Sequence, residues 1–350
     1  MNKRPFVSVI ICTYNGENRI KDCLDALIVQ DYPRDRYETI VVDDGSTDRT
    51  DEIISKYPVK TIKHRKNLGI SSARNTGLRN ANGTIVAYTD DDCIPKKSWL
   101  KNLIKSYTNG VIAVGGLNIP FSCSTIMEKY MAEKGYGIPA PLEFRKSKNP
   151  FYRFYIYLKD MFWPITTNKK DPIQVGSIYT SNASFIKKIL EEAGEWEEDF
   201  HSSEDLEMCE KLNKKFKNKK ILFTKKAVVI LKHQKSFFCI LKQTFRRSED
   251  TLKCYLKYNK IPPVFPFPLF ILLLIFIIGY FNILLGVLTL IISPHFFYLW
   301  WSIKFFRKLK LYYLLFPYMQ FSLELATILG MLRGFIKLKL KKKRNTNEVI

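Results

Sequence analysis

The chain has 350 residues, and 46% of them are hydrophobic, which is enough for one large domain or two moderate ones with a buried core. The 56 Lys and Arg outnumber the 33 Asp and Glu, a formal net charge of +23 that favours a polyanionic partner such as nucleic acid, an anionic membrane or a phosphorylated substrate. The seven cysteines include no CxxC pair, which argues against a zinc site or a disulfide framework and favours a reducing compartment.

The first 120 residues alternate between strand-like and helix-like patterns. A short N-terminal stretch leads at once into the first strand, so we expect no secretory signal peptide. The predicted strands are 6–12, 38–42, 59–63, 84–88 and 111–114, and the predicted helices are 18–29, 48–56, 71–81 and 98–107. This alternation predicts an α/β fold with a mainly parallel sheet covered by helices.

Three consecutive aspartates, Asp90, Asp91 and Asp92, follow the predicted strand 84–88. Ligands of open α/β sheets bind at the carboxyl ends of the strands. Carboxylates this close repel one another unless a cation or basic groups compensate, and Mg²⁺ or Mn²⁺ is commonly held by one or two carboxylates plus substrate phosphates. The triplet therefore indicates a metal that carries a phosphorylated substrate, although a solvated acidic turn has the same pattern.

The C-terminal third contains the long apolar runs. Residues 264–292 include no charged residue, and a second apolar stretch, 311–332, is interrupted only by Glu324. Because a membrane span needs about 20 apolar residues, both stretches are predicted to be membrane segments, with a buried helical subdomain as the alternative. An aromatic and basic segment, 151–158, is either a membrane-interface segment or an ordinary buried element.

The number of crossings stays open. A strongly basic tail, 337–344, favours a cytoplasmic C-terminus, and two crossings would leave the basic patch at 304–310 outside. Alternatively, 264–301 forms a tight hairpin, and 311–332 lies in the interface or crosses as a third span. Since the basic residues cluster beside hydrophobic segments, anionic membrane lipid is the expected polyanion, and we expect no nucleic-acid partner.

Several short motifs occur in a fixed order along the chain. They are Thr13-Tyr14-Asn15-Gly16, Asp43-Asp44-Gly45-Ser46, Asn67-Leu68-Gly69, Ala73-Arg74-Asn75-Thr76-Gly77, the aspartate triplet, Ser181-Asn182-Ala183-Ser184-Phe185 and Ser203-Glu204-Asp205-Leu206. Each is common alone, but over residues 6 to about 250 the set resembles the family 2 inverting glycosyltransferases, which have the GT-A fold. The apolar C-terminal segments resemble those of the membrane-anchored bacterial and archaeal members. No G-x-G-x-x-G follows the first strand, which argues against a dehydrogenase.

The resemblance implies a binding site for a nucleotide-diphosphate sugar. In that site Tyr14, beside Thr13 and Asn15, would stack on the nucleobase, and Asp44 would accept a hydrogen bond from a base imide N–H while Asp43 braces the turn. Arg74 would pair with a diphosphate oxygen. The alternatives are a packed aromatic residue for Tyr14, a capped turn for the Asp43-Asp44 motif and an ordinary ion pair for Arg74.

The resemblance also implies a metal site. Asp90 and Asp92 match the two acidic positions of the family's DxD signature and would hold Mn²⁺ or Mg²⁺ on the diphosphate, while Asp90 and Asp91 would also contact the donor. His233 lies near the position of a late metal ligand in many GT-A enzymes, and a plain surface or core histidine is the alternative.

Catalysis is assigned to Glu204 and Asp205, with Asp205 as the general base. An inverting transfer is a single in-line displacement, so it needs one carboxylate near the acceptor hydroxyl and no covalent intermediate. Capping of the helix that follows is the alternative role for both. Residues 243–247 resemble the Gln-x-x-Arg-Trp signature of processive synthases, but Arg247 replaces the Trp, which favours transfer of a single sugar.

The expected organisation is a GT-A catalytic domain followed by membrane helices. The predicted segments are 1–250 for catalysis (6–120 for the nucleotide, 121–250 for the acceptor), 251–336 for transmembrane helices and 337–350 for a basic cytoplasmic tail. We expect an enzyme of the cell membrane, with its catalytic domain on the cytoplasmic face and a lipid-linked glycan acceptor. A polyprenyl-phosphate sugar synthase and a catalytically inactive membrane-binding module are the alternatives.

Overall fold

A computed structural model describes residues 4–135, 138–139, 142–143, 147–162, 167–232, 236–262 and 264–347. The chain divides into two compact units, Met1–Lys146 with Trp163–Gln234, and Ser147–Phe162 with Lys235–Ile350. The predicted domain boundary at residue 250 falls inside a helix of the second unit, Phe237–Lys257.

Nine strands and thirteen α-helices occur in the described residues. The strands are β1 (Val7–Thr13), β2 (Tyr37–Asp43), β3 (Lys60–Lys63), β4 (Ile85–Asp90), β5 (Cys93–Pro95), β6 (Val111–Pro120), β7 (Ile173–Val175), β8 (Asn182–Ile186) and β9 (Lys220–Leu231). The helices are α1 (Ile20–Ile28), α2 (Thr50–Ile54), α3 (Ile70–Arg79), α4 (Trp99–Lys105), α5 (Ile126–Lys134), α6 (Pro150–Phe162), α7 (Lys187–Ala193), α8 (Glu204–Lys215), α9 (Phe237–Lys257), α10 (Phe267–Phe281), α11 (Ile283–Phe297), α12 (Leu299–Lys308) and α13 (Phe316–Asn347).

All strands belong to one sheet of the first unit, in the order β3-β2-β1-β4-β8-β6-β9-β5, with β7 also paired to β9. The strands β3, β2, β1 and β4 run parallel, as the alternating pattern predicts. The rest departs from the prediction of a mainly parallel sheet, because β8 is antiparallel to both neighbours, β5 and β7 are antiparallel to β9, and only β6 and β9 are parallel. The fold is therefore α/β with a mixed sheet.

Helices cover both faces of this sheet. Along β1, Val7, Val9 and Ile11 contribute to one buried cluster together with residues of α1 and α4. The intervening Ile10 contributes to the opposite cluster, with residues of α3, α7 and α8. This alternation follows from the two-residue period of a strand, so the core consists of two apolar layers with the sheet between them.

The second unit is helical. Helix α6 packs on the segment that precedes α10, with the Tyr157 ring centroid 4.6 Å from that of Phe265. The Tyr157 and Tyr298 hydroxyls donate hydrogen bonds of 2.9 and 2.8 Å to the carboxylate of Glu324, which interrupts the apolar pattern of α13. The aromatic segment 151–158 is therefore helical, and part of it packs within its own unit.

The first apolar stretch, 264–292, is divided between two helices of 15 residues each, α10 and α11. In the described residues no single helix has both the length and the apolar composition required to cross a bilayer. Helices α11 and α12 satisfy that test only as a pair, and they are bent by 78° at the break between them. The predicted basic tail begins within α13, which continues to Asn347.

Candidate active site

The motifs meet at the carboxyl edge of the parallel part of the sheet. In register, Thr13 at the end of β1 lies beside Asp43 at the end of β2, and Cys12 lies beside Asp90 at the end of β4. Parallel strands end at the same edge, so the loops after β1, β2 and β4 converge there.

Asp91 faces the loop after β1. Its carboxylate accepts hydrogen bonds from Thr13 Oγ1 at 2.7 Å and from Arg19 Nε and Nη2 at 3.2 and 3.0 Å. A Cβ on Gly16 would lie 2.3 Å from Thr13 Oγ1 and 2.7 Å from Asp91 Oδ2, so a side chain at this position would disrupt the arrangement. Asp91 thus connects two loops of the site, and its contact with the donor stays a prediction.

Asp90 and Asp92 point into one acidic cluster. Their ligand atoms and the Cys93 Sγ all lie within 4.8 Å of one another. The pKa of Asp90 is raised to about 7, first because the surrounding protein displaces solvent and then because Asp92 and Asp91 repel its charge, against the lowering effect of Arg74. Its side chain is still 41% exposed, so a solvated cation can reach it.

The donor set of this cluster fits a hard divalent cation. Carboxylate oxygens are the ligands that Mg²⁺ and Mn²⁺ prefer, whereas a thiol is soft. Burial raises the pKa of Cys93 well above its usual value, so the thiol stays protonated, and its Sγ lies 3.6 Å from Asp92 Oδ1. Asp90 and Asp92 are therefore the suitable pair. The third predicted ligand, His233, lies outside the described residues.

Arg74 joins the acidic triplet to the start of α8. Its side chain is 5% exposed, its Nη1 donates a short hydrogen bond to Glu204 Oε1, and its Nη2 lies 3.5 Å from Asp90 Oδ1. Burial lowers its pKa, but the Glu204 and Asp90 carboxylates outweigh that effect and raise the pKa above its ordinary value. The Arg74 guanidinium thus bridges two carboxylates, and its predicted contact with the donor diphosphate stays a prediction.

The segment before α8 is held by α3. Asn75 Nδ2 donates to Trp196 O at 2.9 Å, and Asn75 Oδ1 accepts from Trp196 N at 2.8 Å. Ser71 Oγ donates to Phe200 O at 3.1 Å, and the Arg74 guanidinium lies 5.4 Å from the Trp196 ring centroid. These contacts explain the adjacent polar residues of the 73–77 motif, because they fix the backbone that leads to Glu204 and Asp205.

Glu204 and Asp205 begin α8. Glu204 is buried and paired with Arg74, whereas Asp205 is half-buried. Asp205 Oδ1 accepts a hydrogen bond from Leu206 N at 2.7 Å, so its carboxylate also contacts a backbone N–H of the first helical turn. The capping contact and a catalytic role are compatible, since a carboxylate has about four acceptor positions.

Asp44 lies at the centre of a hydrogen-bond network at the end of β2. It is 4% exposed, and it accepts hydrogen bonds from Leu68 N at 2.9 Å and Gly69 N at 2.8 Å, and lies 2.7 Å from His64 Nδ1. The other ring nitrogen, His64 Nε2, lies 2.9 Å from Thr76 Oγ1. Asp43 Oδ1 accepts from Ser46 N at 2.9 Å, so Asp43 braces the turn as expected.

Tyr14 and Asn15 occupy the loop after β1. The Tyr14 side chain is 46% exposed, which disfavours a packed aromatic role and leaves a ring face available. Asn15 has a φ of 49°, its N–H donates to Ser46 Oγ at 2.9 Å, and its Oδ1 accepts from Thr47 N at 2.9 Å. These bonds join the loops that follow β1 and β2.

Sequence reasoning missed Arg19, His64 and Trp196. Each acts through a partner distant in sequence, namely Asp91, Asp44 and Asn75. The position of His64 directly after the predicted strand 59–63, at the same edge as the motifs, was the one available signal.

The model of the family described as glycosyl transferase family 2 matches residues 8–194, which is more than half of the chain. The chain belongs to this family. The predicted resemblance to the family 2 glycosyltransferases is thereby confirmed. The match contains the motifs between Thr13 and Gly77 and the aspartate triplet of this family 2 protein, and it ends before Glu204 and Asp205.

Two curated glycosyltransferases of archaea are similar to part of the chain. Glycosyltransferase AglE of Haloferax volcanii is 38% identical over 135 residues, which are 36% of this chain and 44% of that protein. The dolichyl N-acetyl-alpha-D-glucosaminyl phosphate 3-beta-D-2,3-diacetamido-2,3-dideoxy-beta-D-glucuronosyltransferase of Methanococcus voltae is 35% identical over 111 residues, 29% of this chain and 34% of that protein. The similarity thus spans less than half of each relative.

Among solved structures, the mannosyltransferase PcManGT from Pyrobaculum calidifontis in complex with GDP-Man and Mn²⁺ is similar in fold. The superposition has a TM-score of 0.57 at 20% identity and covers 95% of this chain and 88% of that one. The GT-A-like fold predicted from the motifs is therefore confirmed for the family 2 protein.

Proposed function

We propose that this protein is an inverting glycosyltransferase that moves a single sugar from a nucleotide-diphosphate sugar to a membrane-associated, polyprenyl-linked glycan acceptor. The product would serve cell-surface polysaccharide or glycoconjugate synthesis. One observation carries the proposal, namely the bridge through Arg74 from Asp90 of the acidic cluster to Glu204, the neighbour of Asp205. It brings a cation-binding edge and a candidate base into one small region.

The nucleotide would bind between the loops after β1 and β2. The half-exposed ring of Tyr14 offers a stacking face, with Thr13 and Asn15 shaping the loop beneath it. Asp44 has about four acceptor positions, of which His64, Leu68 and Gly69 engage three. The remaining position on Oδ2 suits a ring imide N–H, which uracil, thymine and guanine carry and cytosine lacks.

Asp90 and Asp92 would hold Mn²⁺ or Mg²⁺ on the donor diphosphate. When bound, such an ion stabilises the negative charge of the leaving diphosphate. Burial, and after it repulsion by Asp92 and Asp91, raises the pKa of Asp90 to about 7, which supports this role because a bound cation would relieve the repulsion among the three carboxylates. The Mn²⁺ of the GDP-Man complex of PcManGT is consistent with it.

Asp205 would accept the proton of the acceptor hydroxyl during attack on the anomeric carbon. A single displacement inverts that carbon and needs no second nucleophile. Glu204 is already paired with Arg74, so its contribution is to position the start of α8 beside Asp90. Arg74 would act on the diphosphate indirectly, because its positive charge lies beside Asp90, which would hold the cation.

The proposed class of acceptor is supported by features that lie away from the carboxyl edge of the sheet. The apolar helices of the second unit and the basic residues beside them suit an anionic membrane, and the Methanococcus voltae relative is named for a lipid-linked acceptor. Arg247, in place of the Trp of processive synthases, supports transfer of one sugar. We propose location at the cell membrane, with the catalytic unit on the cytoplasmic face where nucleotide sugars occur.

The test is a donor screen on the full-length, detergent-purified protein. UDP-, GDP- and dTDP-sugars are offered with Mn²⁺, Mg²⁺ or chelator, with and without a membrane lipid extract, and nucleotide diphosphate release is followed. Cation-dependent release with one donor, raised by the extract, is expected. A product whose sugar bond is cleaved by mild acid would instead indicate transfer to polyprenyl phosphate, and failure to bind any donor would refute the proposal.

A further inference from the structure

The helices α10 and α11 form an antiparallel hairpin. Phe267 at the start of α10 has its ring centroid 5.6 Å from that of Phe297 at the end of α11, so these two ends lie together at the base. Between the helices, Asn282 Oδ1 accepts a hydrogen bond from Leu285 N at 3.1 Å and starts α11. A Cβ on Gly286 would lie 2.6 Å from Gly279 Cα, so the backbones approach closely next to the turn.

This hairpin is apolar, and each of its helices is exposed except along one buried stripe, which contains Ile271 in α10 and Gly286 in α11. Leu272, Leu273 and Leu274 are 40%, 53% and 39% exposed, although successive residues of a helix point about 100° apart. Exposure is greatest near the turn, where Tyr280, Phe281 and Ile283 are 80% to 81% exposed. No charged residue occurs between Lys260 and Lys304. A folded protein partner covers one side of a helix, whereas lipid surrounds it, so this pattern favours lipid.

The base of the hairpin carries aromatic and cationic side chains. The Lys304 ammonium of α12 lies 4.8 Å from the centroid of the Trp301 ring, which itself packs on Phe316. Arg307, Lys308 and Lys310 follow and are exposed. Aromatic rings and basic residues are typical of the membrane–water interface, and the positive charge complements anionic headgroups.

The arms are too short to cross. Each helix has 15 residues, so each arm is about 22 Å long, against a hydrocarbon core of about 30 Å. We propose that α10 and α11 insert as a hairpin into one leaflet of an anionic phospholipid bilayer, with Phe281 near the midplane and the 304–310 residues among the headgroups. The proposal extends the membrane part of the proposed function and differs from crossing helices, because both ends stay on one side.

Depth measurement tests the insertion. In the full-length chain with the exposed Cys123→Ser and Cys239→Ser changes, a thiol-reactive fluorophore is placed by Phe281→Cys, or by Leu311→Cys as the interfacial control, and the protein is added to phosphatidylcholine–phosphatidylglycerol vesicles. Quenching by nitroxides at the acyl chain ends is expected at position 281, and quenching by headgroup nitroxides at position 311. Equal quenching at both positions would overturn the proposal.

Sidedness distinguishes insertion from crossing. Before fluorophore attachment, a membrane-impermeant maleimide added outside the vesicles should label position 311 and leave position 281 unlabelled, and a maleimide enclosed in the vesicles should label neither. Labelling of either position by the enclosed maleimide would mean that a segment crosses the bilayer. That result would overturn the hairpin while leaving membrane association intact.

A pair of tip variants supplies the energetic control. A carboxylate near the midplane is costly, so Phe281→Asp should bind vesicles at least tenfold more weakly than wild type, while Phe281→Leu should bind equally well. Equal binding by both variants would contradict insertion. Because these assays contain no donor sugar, their failure leaves nucleotide diphosphate release in the donor screen unaffected, and the two proposals can fail separately.

Discussion

The side chains at the carboxyl edge of the sheet have partners within their own unit, whereas those at the turn of the α10–α11 hairpin are left exposed. At the sheet edge, Asp44, Asp91 and Glu204 each accept hydrogen bonds from side chains or backbone of their own unit. In the hairpin, Tyr280, Phe281 and Ile283 remain about four-fifths exposed. Hydrogen-bond partners fix the orientation of the polar groups in a binding site. Exposed apolar side chains instead indicate that lipid, rather than water, surrounds them.

Removal of the Arg74 bridge at the sheet edge should have the largest effect on stability. Arg74→Ala deprives the buried Glu204 carboxylate of its arginine partner, which should lower the free energy of unfolding by about 3–5 kcal/mol. The matched control is Arg79→Ala on the same helix, whose exposed pair with Glu195 should contribute about 0–1 kcal/mol. Denaturant unfolding measures both, and equal losses would show that Arg74 forms an ordinary ion pair.

The hairpin offers a matched pair of glycines. A Cβ on Gly286 would meet Gly279 Cα at 2.6 Å, whereas a Cβ on Gly279 would meet Gly286 Cα at 3.7 Å. Gly286→Ala should therefore force the arms apart and destabilise the second unit by about 1–3 kcal/mol, and Gly279→Ala should not. Thermal unfolding in detergent compares the two, and the reverse order would contradict the close approach.

The network around Asp44 predicts a smaller effect. His64→Ala removes one hydrogen bond that orients the Asp44 carboxylate, so affinity for the preferred nucleoside diphosphate should fall by a factor of about 5–10, or about 1–1.5 kcal/mol. Arg65→Ala, at the neighbouring exposed position, should leave affinity unchanged. Calorimetric titration decides, and an unchanged affinity in His64→Ala would remove His64 from a positioning role.

The acidic cluster predicts that the stability of the protein depends on pH when a chelator removes divalent cations. The pKa of Asp90 is raised from 3.8 to about 7, so the folded state holds a proton that the unfolded state releases between these values. This contribution to stability is complete below about pH 4 and is lost as the pH rises to about 7. Asp90→Asn should flatten that decline, and added Mn²⁺ should stabilise the wild type more at pH 8 than at pH 5. A slope identical in both proteins would exclude Asp90 as its source.

Local patterns in the sequence predict the parallel part of the fold well. Strands β1, β2, β4 and β6 are apolar runs bounded by turn residues, and the motifs follow those runs directly. Strand β8 was not predicted, because its Asn182 and Ser184 interrupt the apolar pattern. Both side chains are buried and form hydrogen bonds with residues distant in sequence; for example, Asn182 Oδ1 accepts from Trp99 Nε1 at 2.8 Å. Hydrogen bonds between residues far apart in sequence leave no local sequence pattern from which the strand could be predicted.

The same distinction applies to the site. The residue types of Asp44, Asp90 and Asp205 follow from motif and position, but their partners do not. Arg74 looks like a phosphate ligand in the sequence because an arginine after a glycine turn is suited to that role, and only the fold reveals Glu204, 130 residues away, at its guanidinium. Similarly, composition predicts the apolar helices, while the break at Asn282 fixes their lengths.

We expect Asp205 to act as the general base while the other residues at the carboxyl edge of the sheet bind the donor. Donor binding and sugar transfer are therefore measured together for Asp205→Asn, with Glu192→Gln on α7 as a carboxylate-to-amide control away from the edge. Asp205→Asn should transfer about 10²–10⁴-fold more slowly with unchanged cation-dependent donor affinity, and the control should match wild type. Transfer by Asp205→Asn at the wild-type rate would contradict the account.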